Sequence, residues 1–246
     1  MSYLVADAGN SRIKWGIYDS GIWLGIESHN DWSEESIISL LHKYPGVEAG
    51  MFCSVREVPP WLSTFFITRN IAWHELTHEF PLPIEIGYET PETLGRDRIA
   101  LAAGAAAMFP GKNVLAIDAG TALTYELITS DGKYPGGNIS PGLRMRFEAL
   151  HQNTFSLPKV SPGQAPPLIG KNTREAILSG VVNGMVYEID NSINSLKNKN
   201  NELTVILTGG DAVYLTGLLK KPIFVDENLV LFGLCTILRN FSGKPV

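Results

Sequence analysis

An α/β fold built as two similar halves is what this 246-residue chain predicts, on two observations. The first is a duplication. Val5-Ala6-Asp7-Ala8-Gly9-Asn10-Ser11 near the start is echoed by Ala116-Ile117-Asp118-Ala119-Gly120-Thr121-Ala122, with the two aspartates 111 positions apart (118 minus 7). Each copy follows an apolar run (3–6 and 114–117). Each precedes a second strand-like run (14–18 and 123–128) that closes on a turn, Asp19-Ser20-Gly21 or Ser130-Asp131-Gly132. One Asp-x-Gly turn is a weak signal, since such turns recur throughout β proteins; a duplicate with matching flanks is a strong one. The second observation is order: strands come first and helices after, twice over, which is an α/β pattern. The expected halves are residues 1–111 and 112–246, divided near Pro110-Gly111-Lys112.

The first half opens with the hairpin through residue 26, followed by a helix over 33–43 and a strand over 48–55. Pro59-Pro60 starts an irregular or helical piece, and a proline-rich segment (Pro81, Pro83, Pro91) leads to Gly95-Arg96-Asp97-Arg98. The alanine-rich run 97–108 is a helix ended by Pro110-Gly111. The second half restarts with the strand 114–117 and its hairpin partner. Ser140 followed by Pro141 reads as the cap and first residue of a helix to about residue 151. Residues 156–170 read as loop. Asn172-Thr173-Arg174-Glu175 resembles a capping box for one long helix to residue 196. A strand over 203–207 delivers Thr208-Gly209-Gly210-Asp211, and a helix over 229–240 closes the chain.

Composition narrows the function classes. A formal charge of −5 and a pI near 5.6 argue against a general nucleic-acid surface. Lys197, Lys199, Lys220 and Lys221 are scattered rather than clustered. Cys53 and Cys235 lie in apolar runs without metal-ligand spacing, as buried thiols of a reducing compartment do. No signal core precedes the first strand, and the longest apolar stretch (229–238) is too short for a bilayer. A cytoplasmic protein with no membrane partner is expected.

The hairpins carry the chemistry. A tight turn offers backbone N–H groups and hydroxyls to phosphate, with a carboxylate beside it for a cation. Two facing copies suit one nucleotide triphosphate. In the first, Gly9 lets backbone approach closely while Asn10, Ser11 and Lys14 donate to phosphate oxygens; Asp7 suits a metal or its water. The second supplies Asp118, Gly120, Thr121 and Thr124, and Thr208-Gly209-Gly210-Asp211 follows a strand, where α/β sheets hold ligands. Neither Gly-x-x-x-x-Gly-Lys-Ser/Thr nor Gly-x-Gly-x-x-Gly is present, so a kinase here is not a P-loop protein. Asp97, between Arg96 and Arg98, either caps its helix or accepts a proton from an attacking hydroxyl, with Arg98 holding an anionic part of the substrate.

Four motifs in order, Asp7-x-Gly9-Asn10-Ser11-x-x-Lys14, Gly95-x-Asp97-Arg98, Asp118-x-Gly120-Thr121-Ala122-x-Thr124 and Gly136-Gly137-x-Ile139-x-Pro141-Gly142, resemble those of the type III pantothenate kinase family. The resemblance covers essentially the whole chain. That family sits in the superfamily that also holds acetate kinase, sugar kinases and actin. The resemblance implies a duplicated ribonuclease-H-like, actin-like ATPase fold, and ATP-dependent phosphorylation of pantothenate to 4'-phosphopantothenate, the first step of coenzyme A synthesis. It implies that Asp7, Ala8, Gly9, Asn10, Ser11, Arg12, Ile13, Lys14 and Thr121 bind ATP. Asp118 matches a site for a monovalent cation, potassium or ammonium, needed beside magnesium. Asp97 matches the proton acceptor, and Tyr88, Gly95, Arg96, Asp97, Arg98 and Thr173 match pantothenate contacts. A homodimer is also implied. Ser11 and Ser140 stand where threonine is usual, and both keep the hydroxyl. Two rivals are another small-molecule kinase on the same fold and a non-catalytic regulatory factor. The short first half weighs against the former, and retention of Asp7, Lys14, Asp97, Asp118 and Thr121 against the latter.

Overall fold

The same five-strand topology occurs twice in the computed structural model, which describes residues 2–163, 165–198, 202–220 and 223–243. Lys199 and Lys221 lie outside the described residues. The chain forms two compact units: Met1–Pro110 with Gly132–Tyr134 and Leu229–Val246, and Gly111–Asp131 with Pro135–Asn228. The closing helix therefore belongs to the first unit.

In the first unit, β1 (Ser2–Ala8), β2 (Ile13–Asp19) and β3 (Ile22–His29) form an antiparallel meander. The β2–β3 turn is Ser20-Gly21, with φ of 48° and 93°, the doubly left-handed geometry that two-residue hairpins need. Helix α1 (Glu34–Lys43) is capped by Ser33, whose side chain accepts from Ser36 N at 3.3 Å. β4 (Val47–Ser54) then pairs parallel to β1, and after α2 (Trp61–Ile67), β5 (Ala72–Glu75) pairs parallel to β4. The sheet order is β3-β2-β1-β4-β5. Alternation along the strands sorts the faces. Leu4, Ala6, Ala8, Ile13, Trp15 and Ile17 pack in a core with Ile37, Leu40, Leu62 and Phe66 of α1 and α2. Asp7 and Lys14 point to the other face.

That other face is covered by α8 (Leu229–Phe241), which packs on β1, β2, β4 and on α3 (Arg96–Met108). In α3 the run Ile99 to Ala105 is wholly buried. Small residues let the two helices approach backbone to backbone: a Cβ on Gly233 would lie 1.8 Å from the Ala100 carbonyl oxygen. A two-stranded parallel sheet completes the unit, β6 (Glu85–Ile86) with β9 (Lys133–Tyr134).

In the second unit, β7 (Val114–Ala119), β8 (Ala122–Ile128) and β10 (Gly136–Pro141) form the meander, while β11 (Thr204–Thr208) and β12 (Phe224–Val225) add in parallel, giving β10-β8-β7-β11-β12. Leu115, Ile117 and Ala119 pack on Ile177, Val182, Met185 and Ile189. α4 (Leu143–Gln152), α5 (Thr173–Leu178), α6 (Gly184–Lys197) and α7 (Ala212–Thr216) complete it.

Three sequence expectations are corrected. Ser140 is not a helix cap: it pairs with Leu123 inside β10, and α4 starts after Gly142. Asp97 is not the cap of α3, whose N-cap is Gly95; it lies in the first turn. The long helix is interrupted by a π-helical stretch, Ser179–Asn183, between α5 and α6. Its start is as expected, with Asn172 Oδ1 accepting from Glu175 N at 3.0 Å. Both cysteines are buried and free.

Candidate active site

In the first unit the hairpin, the start of α3 and one residue of β4 converge. Asp7, next to last in β1, lies directly opposite Lys14 on β2 and Cys53 on β4. The Cys53 thiol donates to Asp7 Oδ1 at 3.5 Å. Ala8 and Ile13 are buried and close the ladder, while Asn10, Ser11 and Arg12 are exposed in the turn. Gly9 N donates to the Arg12 carbonyl at 3.1 Å, leaving the tip of the turn open to solvent. Arg56, which carries no sequence signal, fixes this turn: its Nε donates to the Gly9 carbonyl at 2.9 Å and a terminal nitrogen to the Asn30 carbonyl at 2.7 Å.

Burial, then the negative charge of Asp97, pushes Asp7 from 3.8 up to about 6, against the Cys53 hydrogen bond and Lys14. Asp97 is thus within electrostatic reach of the hairpin, on the sheet face where Asp7 points. Its Oδ1 accepts from the Arg98 backbone N–H at 2.9 Å. A Cβ on Gly95 would come within 2.6 Å of that same oxygen, so glycine is the residue that leaves the carboxylate room. Arg96 is anchored by an ion pair with Glu75 on β5. Arg98 is buried, with its guanidinium 5.7 Å from the Tyr88 ring centroid. Five sequence-predicted residues therefore gather in one unit: Asp7, Lys14, Arg96, Asp97 and Arg98, with Tyr88 against the last.

In the second unit Asp118, next to last in β7, lies opposite Thr124, the position equivalent to Asp7 opposite Lys14. The turn is one residue tighter, with Gly120 N donating to the Ala122 carbonyl at 3.1 Å. Two further segments press on it. Gly142 N donates to the Thr121 carbonyl at 3.2 Å, and a Cβ there would sit 2.3 Å from two backbone oxygens of the turn. Gly209, with φ of 93°, passes so close that a Cβ would meet Asp118 Oδ1 at 2.3 Å. Asp211 N then donates to the Ala119 carbonyl at 3.0 Å, so the expected third element does pack on the second hairpin. Thr173 is the exposed first residue of α5 in this unit.

A network the sequence did not announce also lies here. Ser140 Oγ donates to Glu188 Oε1 at 2.5 Å, Tyr125 donates to the same oxygen at 3.2 Å, and Arg146 pairs with the other carboxylate oxygen. Burial alone would raise Glu188, yet Ser140 and Arg146 hold it below its ordinary value. Ser140 keeps a function for its hydroxyl, but as a strut to α6.

Among the described residues no cluster of three or more His, Cys, Asp or Glu forms a metal cage. Single carboxylates at each hairpin fit a different mode, in which Mg2+ keeps waters and shares one or two carboxylates with substrate phosphates. No helix among the described residues is long and apolar enough to cross a membrane.

Comparison with known proteins agrees with this architecture. A solved glucokinase from an Antarctic psychrotroph matches with a TM-score of 0.54 at 10% identity, over 97% of this chain and 99% of that one. A Campylobacter jejuni protein proposed to be a Baf family transcriptional activator matches with 0.55 at 21% identity, over 98% and 99%. At such identities the likeness carries the fold alone: the duplicated ribonuclease-H-like α/β fold of actin-like ATPases and sugar kinases. Sequence goes further. A family model described as type III pantothenate kinase matches residues 3–195. A Christiangramia forsetii protein of the same description is 42% identical over 238 residues, 96% of this chain and 97% of that one. The chain belongs to the type III pantothenate kinase family.

Proposed function

We propose that this protein transfers the γ-phosphoryl group of ATP to the primary hydroxyl of pantothenate, giving 4'-phosphopantothenate and ADP, the first step of coenzyme A biosynthesis. Full-length membership of a kinase family supports it. The observation that carries the residue roles is the place of Asp97, in the first turn of α3 with room left for its carboxylate by Gly95 and its charge felt by Asp7 of β1. In the reaction the substrate oxygen bonds to the γ-phosphorus and the bond from that phosphorus to the bridging oxygen breaks. Asp97 takes the hydroxyl proton. Arg98, buried against Tyr88, fixes the anionic end of pantothenate, beside Gly95 and Arg96. The segment from Asp7 to Lys14, with its open Gly9 turn, holds the phosphate tail, and Thr121 binds the nucleotide.

Phosphoryl transfer is catalysed by positioning and charge neutralisation. When bound with ATP, Mg2+ supplies charge neutralisation on the phosphates, and Asp7 is the carboxylate suited to it or its water. Asp118, enclosed by Gly120 and Gly209, is the proposed ligand of a monovalent cation, K+ or NH4+. A homodimer is the proposed working form.

A coupled assay of ADP release with ATP and pantothenate, run in K+ and in Na+, tests the reaction and the monovalent site. Turnover is expected with pantothenate in K+ and is expected to fall in Na+. Asp97→Asn is expected to lower kcat by about 10²–10⁴-fold while the protein stays folded. Near-full turnover of that variant removes Asp97 as the base. Equal rates in the two salts remove the monovalent site. Release with another alcohol but not with pantothenate reassigns the substrate.

A further inference from the structure

Tyr88 is the residue through which a second, fully buried tyrosine reaches the site. β6 is only two residues long and follows the proline-rich stretch with Pro81 and Pro83. Its residues pair with a strand 48 residues further on (133 minus 85), Glu85 opposite Lys133 and Ile86 opposite Tyr134. Glu85 N donates to the Gly132 carbonyl at 3.0 Å and Gly87 N to the Tyr134 carbonyl at 2.9 Å. Lys133 pairs with Glu85 across the same ladder at 2.8 Å. Gly132, with φ of 81°, makes the turn that delivers this strand. Tyr134 has no exposed surface, and its ring stands parallel to that of Tyr88, 11° between planes and 6.4 Å between centroids. The Arg98 guanidinium lies over the Tyr88 ring.

We infer that Tyr134 is a positioning residue for the substrate pocket: its buried ring and the β6–β9 ladder fix the plane of Tyr88, and through it Arg98, without Tyr134 touching substrate. This rests on the pantothenate kinase reading. Pantothenate carries its reacting CH2OH on a dimethyl-substituted carbon and a carboxylate at its far end. A flat ring held in one plane beside a guanidinium is matched to such a molecule, an apolar wall next to an anion contact. The segment proposed to hold the ATP phosphates, Asp7 to Lys14, includes neither Tyr88 nor Arg98, so the consequence of loosening Tyr88 falls on pantothenate and not on ATP.

The test is steady-state kinetics with both substrates varied. Stacked aromatic pairs are worth enough that Tyr134→Leu is expected to raise the pantothenate KM by about fivefold to tenfold while the ATP KM stays within about twofold. Tyr134→Phe, which keeps the ring, is expected to bring the pantothenate KM back to within about threefold of wild type. An unchanged pantothenate KM in folded Tyr134→Leu, a parallel rise in both KM values, or a Phe variant as impaired as Leu each overturns the inference. If Tyr134→Leu does not fold, tyrosine-ring NMR on the otherwise intact protein decides, with the Tyr134 signal assigned from Tyr134→Phe. Pantothenate is expected to shift the Tyr134 and Tyr88 signals together, and a Tyr134 signal that stays put overturns the inference. Absence of wild-type turnover on pantothenate is a separate result, which sinks the functional reading and this inference with it.

Discussion

Asp7 shows what a single residue costs and contributes. Burial and the neighbouring Asp97 hold it at about 6 when folded, against 3.8 for a free carboxyl. Between those values the folded state keeps a proton that the unfolded chain has lost. Stability therefore falls as pH rises from about 4 to about 6, and the loss is complete above that, amounting to at most about 3 kcal/mol before solvent screening of a half-buried group. Asp7→Asn is expected to raise the unfolding free energy of the ligand-free protein at pH 7.5 by about 1–3 kcal/mol and to flatten its dependence between pH 4 and 7, while lowering turnover. Denaturant melts across that range check this; an unchanged or reduced stability refutes the assignment. Asp7, Lys14 and Asp97 were legible as candidates because turn chemistry and charge are local properties. Whether Asp97 caps its helix was not, because Gly95 occupies the cap and leaves the carboxylate in the first turn. Ser140 misled for a related reason: Ser-Pro reads as a cap and first helical residue, but edge-strand pairing with β8 carries β10 through Pro141, where a proline is tolerated.

At the scale of elements, α3 was legible and its partner was not. Alanine richness gives the helix. Only the fold reveals that the small residues serve a backbone-to-backbone contact with α8. A methyl at Gly233 would sit 1.8 Å from the Ala100 carbonyl and must push the helices apart. Gly233→Ala is expected to cost about 1–3 kcal/mol by overpacking, lowering Tm by about 3–10 °C for a domain of this size. A thermal melt within a degree of wild type removes this account. The π-helical stretch Ser179–Asn183 leaves no mark in the sequence, because the capping residues ahead of it and the apolar spacing around it are those of an uninterrupted helix. Its Ser179 and Asn183 side chains hold the Leu168 and Pro167 carbonyls, contacts that no local pattern encodes. Strands β5, β6, β9 and β12 are four residues or fewer and are too short to show alternation.

For the whole molecule, the duplicated sequence became a duplicated topology, strand for strand, with Asp7 and Asp118 at equivalent positions of β1 and β7. The second unit also leaves Ile139, Met145, Leu168, Ile169 and Tyr187 exposed. The proposed homodimer belongs to this scale too. Light scattering at micromolar concentration is expected to give twice the 26.9 kDa of one chain; the mass of a single chain would reject the dimer.

The sequence by itself determined the α/β class, the repeated hairpin and the kinase family, because each is written in contiguous residues whose spacing carries the physics. Tertiary structure alone decided that the last helix returns to the first unit, that Cys53 and Asp97 share the environment of Asp7, and that Tyr134 backs Tyr88. Those pairings join residues tens of positions apart. They depend on which strand neighbours which and which face each side chain takes, and only the folded sheet fixes that.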